Sequence, residues 1–177
     1  RWLLLLTVSY YFYMCWKMEY ILLIIISTLI AYTLGIQIEK QKQLKAKKIF
    51  LALSITTNLG ILVFFKYYNF FSDSLRLAFS SFNIFTDIPQ FDFLLPVGIS
   101  FYTFQTLSYS IEVYRGHQKA ERHLGIFALY VSFFPQLVAG PIERSVNLIP
   151  QFFKKINIDY NNFTMGLKQI AWGMVMK

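Results

Sequence analysis

Four side chains with hydrogen-bonding or acid–base capacity fall at spacings of 3, 4 and 3 along one stretch: Tyr102, Gln105, Tyr109 and Glu112. On an α-helix these positions share a face. Ser100, Thr103 and Ser110 add hydroxyls on an adjacent face. The surrounding sequence, LLPVGISFYTFQTLSYSIEVYRG over 94–116, is apolar enough for a membrane. A helix with this mixture cannot face lipid all round, because amide, hydroxyl and carboxylate groups at that depth need partners or a water-filled cavity. Two readings stay open on the residues alone. The face lines a polar cavity, or it forms hydrogen bonds to neighbouring helices.

A second stretch, SFFPQLVAGPIERSVNLIPQF over 132–152, sets Gln136, Gly140, Pro141, Glu143 and Arg144 among helix breakers. Pro135 and Pro141 each remove a backbone donor and disfavour helix before them. Gly140-Pro141 is therefore expected to end a helix. Non-helical backbone at membrane depth survives where protein covers it or where it lines a cavity. The carbonyls freed near 136–140 need donors, which Gln136 or Arg144 can supply. The alternative is a tight interhelical turn with a surface Glu143–Arg144 pair.

No catalytic centre is visible in the residues. His117 and His123 both lie in a polar loop, and neither belongs to an HExxH or Ser-His-Asp pattern. Glu112 and Arg115 are spaced for an intrahelical ion pair. The single cysteine, Cys15, reads as a small buried hydrophobe, so neither a disulfide framework nor a Cys-based zinc site is available.

The elements that position these groups are apolar. The chain is 56% hydrophobic, 19% aromatic and only 15% charged over 177 residues. A soluble fold of this size cannot hide that much apolar surface. The expected fold is all-α, a polytopic transmembrane bundle in one membrane domain. Its membrane segments are expected at about 2–16, 20–38, 49–68, 94–113, 124–139 and 161–176, with an amphipathic surface helix over 70–84. Pro96 is expected to start the fourth segment, and Asn161 or Asn162 to cap the last. Asn58, in the middle of the third segment, is expected to tie helices together. The last apolar stretch before residue 150 is expected to enter the membrane and return, broken near Gly140-Pro141.

The net charge of +8 sits in short clusters between apolar runs. That distribution argues against nucleic acid as a partner. By the positive-inside rule it places loops 39–48 and 114–123 on the cytoplasmic side of a multi-pass cell-membrane protein. Arg1 opens directly on an apolar run and Lys177 follows another, so the chain is expected to be an internal piece of a longer protein.

The two blocks at 94–116 and 132–152, preceded by SYYFYMCW and STLIAYTLG, resemble the membrane-bound O-acyltransferase (MBOAT) family. The likeness is to its bacterial alginate O-acetylase and D-alanyl-lipoteichoic-acid transfer branch. It implies a polytopic enzyme that moves an acyl group, acetyl or D-alanyl, onto hydroxyls of an extracellular polysaccharide or cell-wall polymer. The donor would be a thioester co-substrate, coenzyme A or an acyl carrier protein, met on the cytoplasmic side, with no bound cofactor or metal. The resemblance also implies membrane lipid and a periplasmic or extracellular acetylation partner as neighbours. The catalytic histidine it implies belongs to a later Trp-Arg-Arg-Trp-His type block that does not occur here, so His117 and His123 do not inherit the role. Ser100, Tyr102, Gln105, Tyr109, Gln136, Gly140, Pro141, Glu143 and Arg144 would then line the channel where donor and acceptor meet. The rival reading is a transporter or channel subunit, since broken helices with polar faces also mark transport sites.

Overall fold

The computed structural model describes residues 1–16, 18–79, 98–140, 143–154 and 159–176. These residues form α1 (Trp2–Trp16), α2 (Glu19–Lys40), α3 (Leu44–Phe79), α4 (Ile99–Arg115), α5 (Leu124–Ser132), α6 (Phe134–Ala139), α7 (Ser145–Phe153) and α8 (Tyr160–Met176). No strand occurs among them. The all-α expectation agrees with this.

Among the described residues, two helices are long and apolar enough to cross a membrane, over Tyr20–Lys40 and Leu44–Tyr68. Both are rich in Leu and Ile, the second also in Phe, with no proline to interrupt the ladder. The basic stretch 39–48 is mostly helical rather than a loop. Glu39 and Lys40 complete α2, Gln41 turns to extended backbone, and α3 resumes at Leu44. Lys, Glu and Gln are good helix formers, so the turn shrinks to 41–43.

The separate surface helix expected over 70–84 is corrected as far as Phe79. The chain continues α3 without a break at Asn69, because 69–79 contains neither proline nor glycine. Residues 80–84, and the expected start at Pro96, lie outside the described residues. With 36 residues, α3 is about 54 Å long, well beyond the roughly 30 Å of a bilayer core. The fourth helix begins at Ile99, after Gly98, whose φ of 75° is not helical.

The apolar run from Leu124 breaks twice. Pro135 has no amide hydrogen for the Val131 carbonyl and its ring crowds that turn, so α5 ends at Ser132 and Pro135 sits in the first turn of α6. Gly140 then ends α6 with φ 60° and ψ −164°. Asp159, not Asn161 or Asn162, caps α8; its Oδ1 accepts from the Asn161 amide at 3.2 Å.

Helix α4 is the centre of the bundle, packed against α2, α3, α5 and α7. Tyr102, Tyr109, Phe127, Tyr130 and Ile24 are fully buried around it. The outer face is apolar, with Leu3, Leu22, Ile26, Leu53 and Phe64 exposed on α1 to α3. Cys15 is exposed there too, a correction to its expected burial; Tyr11, Phe12 and Met14 on α1 are exposed with it. All of α8 lacks buried residues.

The two basic turns lie together at one end of the bundle. Arg122 forms an ion pair with Glu39. The Tyr32 hydroxyl donates to the Arg122 carbonyl at 2.6 Å. Lys47 stands 5.5 Å from the centre of the Tyr114 ring, and Trp2 meets His123 edge-on at 4.7 Å. The chain leaves this end at His123 and is back beside it at Ser145, whose hydroxyl donates to Gln118 Oε1 at 3.0 Å.

Candidate functional site

Gln105 projects from the middle of α4 into the gap between α5 and α6 and is 2% exposed. Its Nε2 donates to the Tyr130 carbonyl at 2.7 Å and to Gln136 Oε1 at 3.1 Å. Tyr130 returns a bond, its hydroxyl donating to the Gln105 carbonyl at 3.2 Å. Both amide hydrogens of Gln105 are therefore used. Gln136, held just after the Phe133 break, carries this bracket to the edge of an open cleft of ≈ 200 Å³. Phe133, Pro135, Gly140, Glu143 and Leu148 complete its lining.

The other side of α4 carries a second polar cluster. Asn58 of α3 accepts at Oδ1 from the Thr106 hydroxyl at 3.0 Å and from Ser27 of α2 at 3.3 Å. Its Nδ2 donates to the Ser54 carbonyl at 2.8 Å. The Ser54 and Ser110 hydroxyls share a 2.8 Å bond. Asn58 thus joins three helices, as its position in the sequence suggested. Paired in this way, buried polar groups avoid the cost of lost hydration.

Of the expected channel face, Tyr102, Gln105, Tyr109 and Glu112 are all buried. Among the described residues, none of the four lines the cleft beside Gln136. The Tyr109 hydroxyl accepts from the Glu121 amide at 2.9 Å and so pins the basic loop. Its ring lies so close to Gly35 of α2 that a Cβ there would stand 2.6 Å from Cε1. The Tyr102 hydroxyl is buried with no hydrogen-bond partner among the described residues. Ser100 is half-buried in the first turn of α4.

Glu112 pairs with His117 at 2.6 Å rather than with Arg115. The reason is local: the Gly116 turn folds His117 back over the helix end, where its amide also bonds the Glu112 carbonyl. Glu143 accepts from Asn147 Nδ2 at 2.7 Å, which spans the start of α7. Arg144 is exposed at the N-cap of α7 and forms no pair with Glu143. Pro141 lies outside the described residues.

Three contributors carry no sequence signal of the kind used above. Tyr130 looks like one more aromatic in an apolar run, and Ser145 like a helix-start serine. His123 looks like a solvated loop residue, yet its Nδ1 accepts from the Ile126 amide at 3.2 Å and caps α5. The nearest signal is the Ser/Thr/Asp/Asn preference at caps, and histidine is outside it.

The arrangement is a helix bundle with polar groups inside and apolar groups outside, and an amide-lined break opening to a cleft. It can offer donors and acceptors to a polar ligand that approaches through an apolar surround. Among the described residues no three His, Cys, Asp or Glu side chains gather as a metal site.

Over 176 residues, 99% of the chain, it is 37% identical to the probable alginate O-acetylase AlgI of Azotobacter vinelandii and 38% identical to that of Pseudomonas aeruginosa. It is 31% identical over 202 residues to the peptidoglycan O-acetyltransferase of Helicobacter pylori. This match agrees with the resemblance to the membrane-bound O-acyltransferase family. It spans about a third of the length of the curated relatives it matches: 35%, 34% and 37% of these three. No protein-family model matches the chain, and no solved structure matches it. The MBOAT relatives and the two apolar helices together mark a membrane protein.

Proposed function

We propose that this chain contributes a substrate-channel part of an O-acyltransferase that acylates hydroxyls of an extracellular polysaccharide or cell-wall polymer. The observation that carries the reading is the match of almost the whole chain to proteins named as O-acetylases and a peptidoglycan O-acetyltransferase. The same names favour acyl transfer over a transporter or channel role.

In this reaction the acceptor hydroxyl oxygen attacks the thioester carbonyl of the donor, an acyl-coenzyme A or acyl carrier protein. The C–O bond forms, the C–S bond breaks, and the thiol leaves with the proton taken from the hydroxyl. The general base is the histidine that the family resemblance implies outside these 177 residues. His117 and His123 are occupied at the basic end of the bundle by Glu112 and by the α5 amides. Donors near the cleft would steady the developing oxyanion; Gln136 stands at its edge.

The reading extends to placement. The helices cross the cell membrane several times, with the 41–43 and 116–123 turns on the cytoplasmic side, where the donor is met. The run 124–145 is re-entrant, and an acetylation partner works on the outer face. The location of both basic turns at one end, and the return of Ser145 to Gln118, support this topology. Deleting the gene for this chain in its own organism tests the function. We expect O-acyl content of the surface polymer to fall to background and to return on complementation. Unchanged O-acylation in the deletion strain overturns the proposal.

A further inference from the structure

One end of the bundle holds a concentration of uncompensated positive charge that neither loop shows alone. The turn between α2 and α3 brings Lys40, Lys42, Lys45, Lys47 and Lys48. The α4–α5 connection brings Arg115, Lys119 and Arg122 to the same place, fixed there by the Arg122–Glu39 pair and the Lys47–Tyr114 contact. The acids nearby are used locally. Glu39 is taken by Arg122, Glu112 by His117, and Glu121 Oε1 by the His123 amide. None of the five lysines has an ion-pair partner among the described residues, and all but Lys47 are exposed.

We propose that this end is a binding surface for anionic phospholipid headgroups. The cations crown the ends of the apolar helices α2 and α3, so they stand at the depth of lipid phosphates when those helices are in a bilayer. Clusters of four to eight Lys and Arg next to membrane helices attract anionic lipid, and the attraction is additive over the residues that reach the surface. Tyr32 and Tyr114 beneath the cluster supply the aromatic groups suited to the same layer. An acidic protein surface is the other occupant such a patch can attract. The lipid is favoured because the charge forms a crown at the ends of the apolar helices α2 and α3, where lipid headgroups stand.

The inference rests on the membrane reading above. The full-length protein, purified in a neutral detergent, is titrated with phosphatidylglycerol or phosphatidylcholine, and bound lipid is counted by native mass spectrometry. We expect saturable binding of phosphatidylglycerol and little of phosphatidylcholine. The variant Lys42→Gln/Lys45→Gln/Lys48→Gln should weaken the former on the order of tenfold to a hundredfold, while Lys66→Gln/Lys168→Gln leaves it unchanged. Equal binding of both lipids, or equal losses in the two variants, overturns the proposal. So does competition by a soluble acidic polypeptide that displaces the lipid stoichiometrically, which would assign the surface to a protein. A protein that stays monodisperse without detergent overturns the membrane reading itself, and this inference with it.

Discussion

At the scale of single residues, Gln105 decides how the polar face of α4 is understood. The sequence offered a cavity wall or an interhelical bond, and both hydrogens of the Gln105 amide are committed to Tyr130 and Gln136. The residue that reaches open space is Gln136, one step further out. Gln105→Leu removes both buried bonds and is expected to lower stability by about 1–3 kcal/mol. Gln105→Glu should cost more, because a carboxylate would face both acceptors with no hydrogen to give. Thermal unfolding of the detergent-purified variants checks the order, and a Glu variant as stable as wild type contradicts the geometry. The spacing of Tyr102, Gln105, Tyr109 and Glu112 was legible because helical periodicity fixes a shared face. Their individual contacts were not, since these lie in the α4–α5 connection and in α5 and α6, up to 31 residues away in the chain.

At the scale of elements, the boundaries moved where local chemistry was subtler than the hydropathy pattern. Helix α3 ran through Asn69 because polar residues alone do not stop a helix, and neither proline nor glycine occurs over 69–79. The break at Phe133 came from Pro135 acting one turn back on α5, and Gly140 supplied the second break where it was expected. Gly140 holds φ 60° and ψ −164°, a region essentially closed to residues with a Cβ. Gly140→Ala is expected to cost about 1–3 kcal/mol of strain and to disturb the cleft that Gly140 lines. If polymer O-acylation in cells carrying Gly140→Ala at matched protein level equals wild type, this turn does not shape the site.

At the scale of the molecule, apolar surface faces outward and the hydrogen-bonded amides and hydroxyls face inward. That order suits lipid, which cannot satisfy polar groups. The bundle also makes a prediction about sides that does not depend on the reaction. The turns at 41–43 and 116–123 share one end, tied by Arg122–Glu39. In a Cys15→Ser background, Lys42→Cys and Lys119→Cys should therefore react with an impermeant thiol reagent from the same side of sealed vesicles. Labelling from opposite sides would contradict the packing of α2 against α4.

The sequence by itself determined the helical class, the apolar exterior, the existence of a polar face on α4 and the helix break at Gly140. These follow from composition, 3.6-residue periodicity and the backbone limits of proline and glycine, all of which are local. Only the tertiary structure decided that Gln105 is a bracket and Gln136 the group at the cleft, that Asn58 closes a three-helix cluster, and that two basic stretches make one charged end. Those outcomes depend on which helix lies beside which, and no local rule encodes the pairing of residues 25 to 83 positions apart.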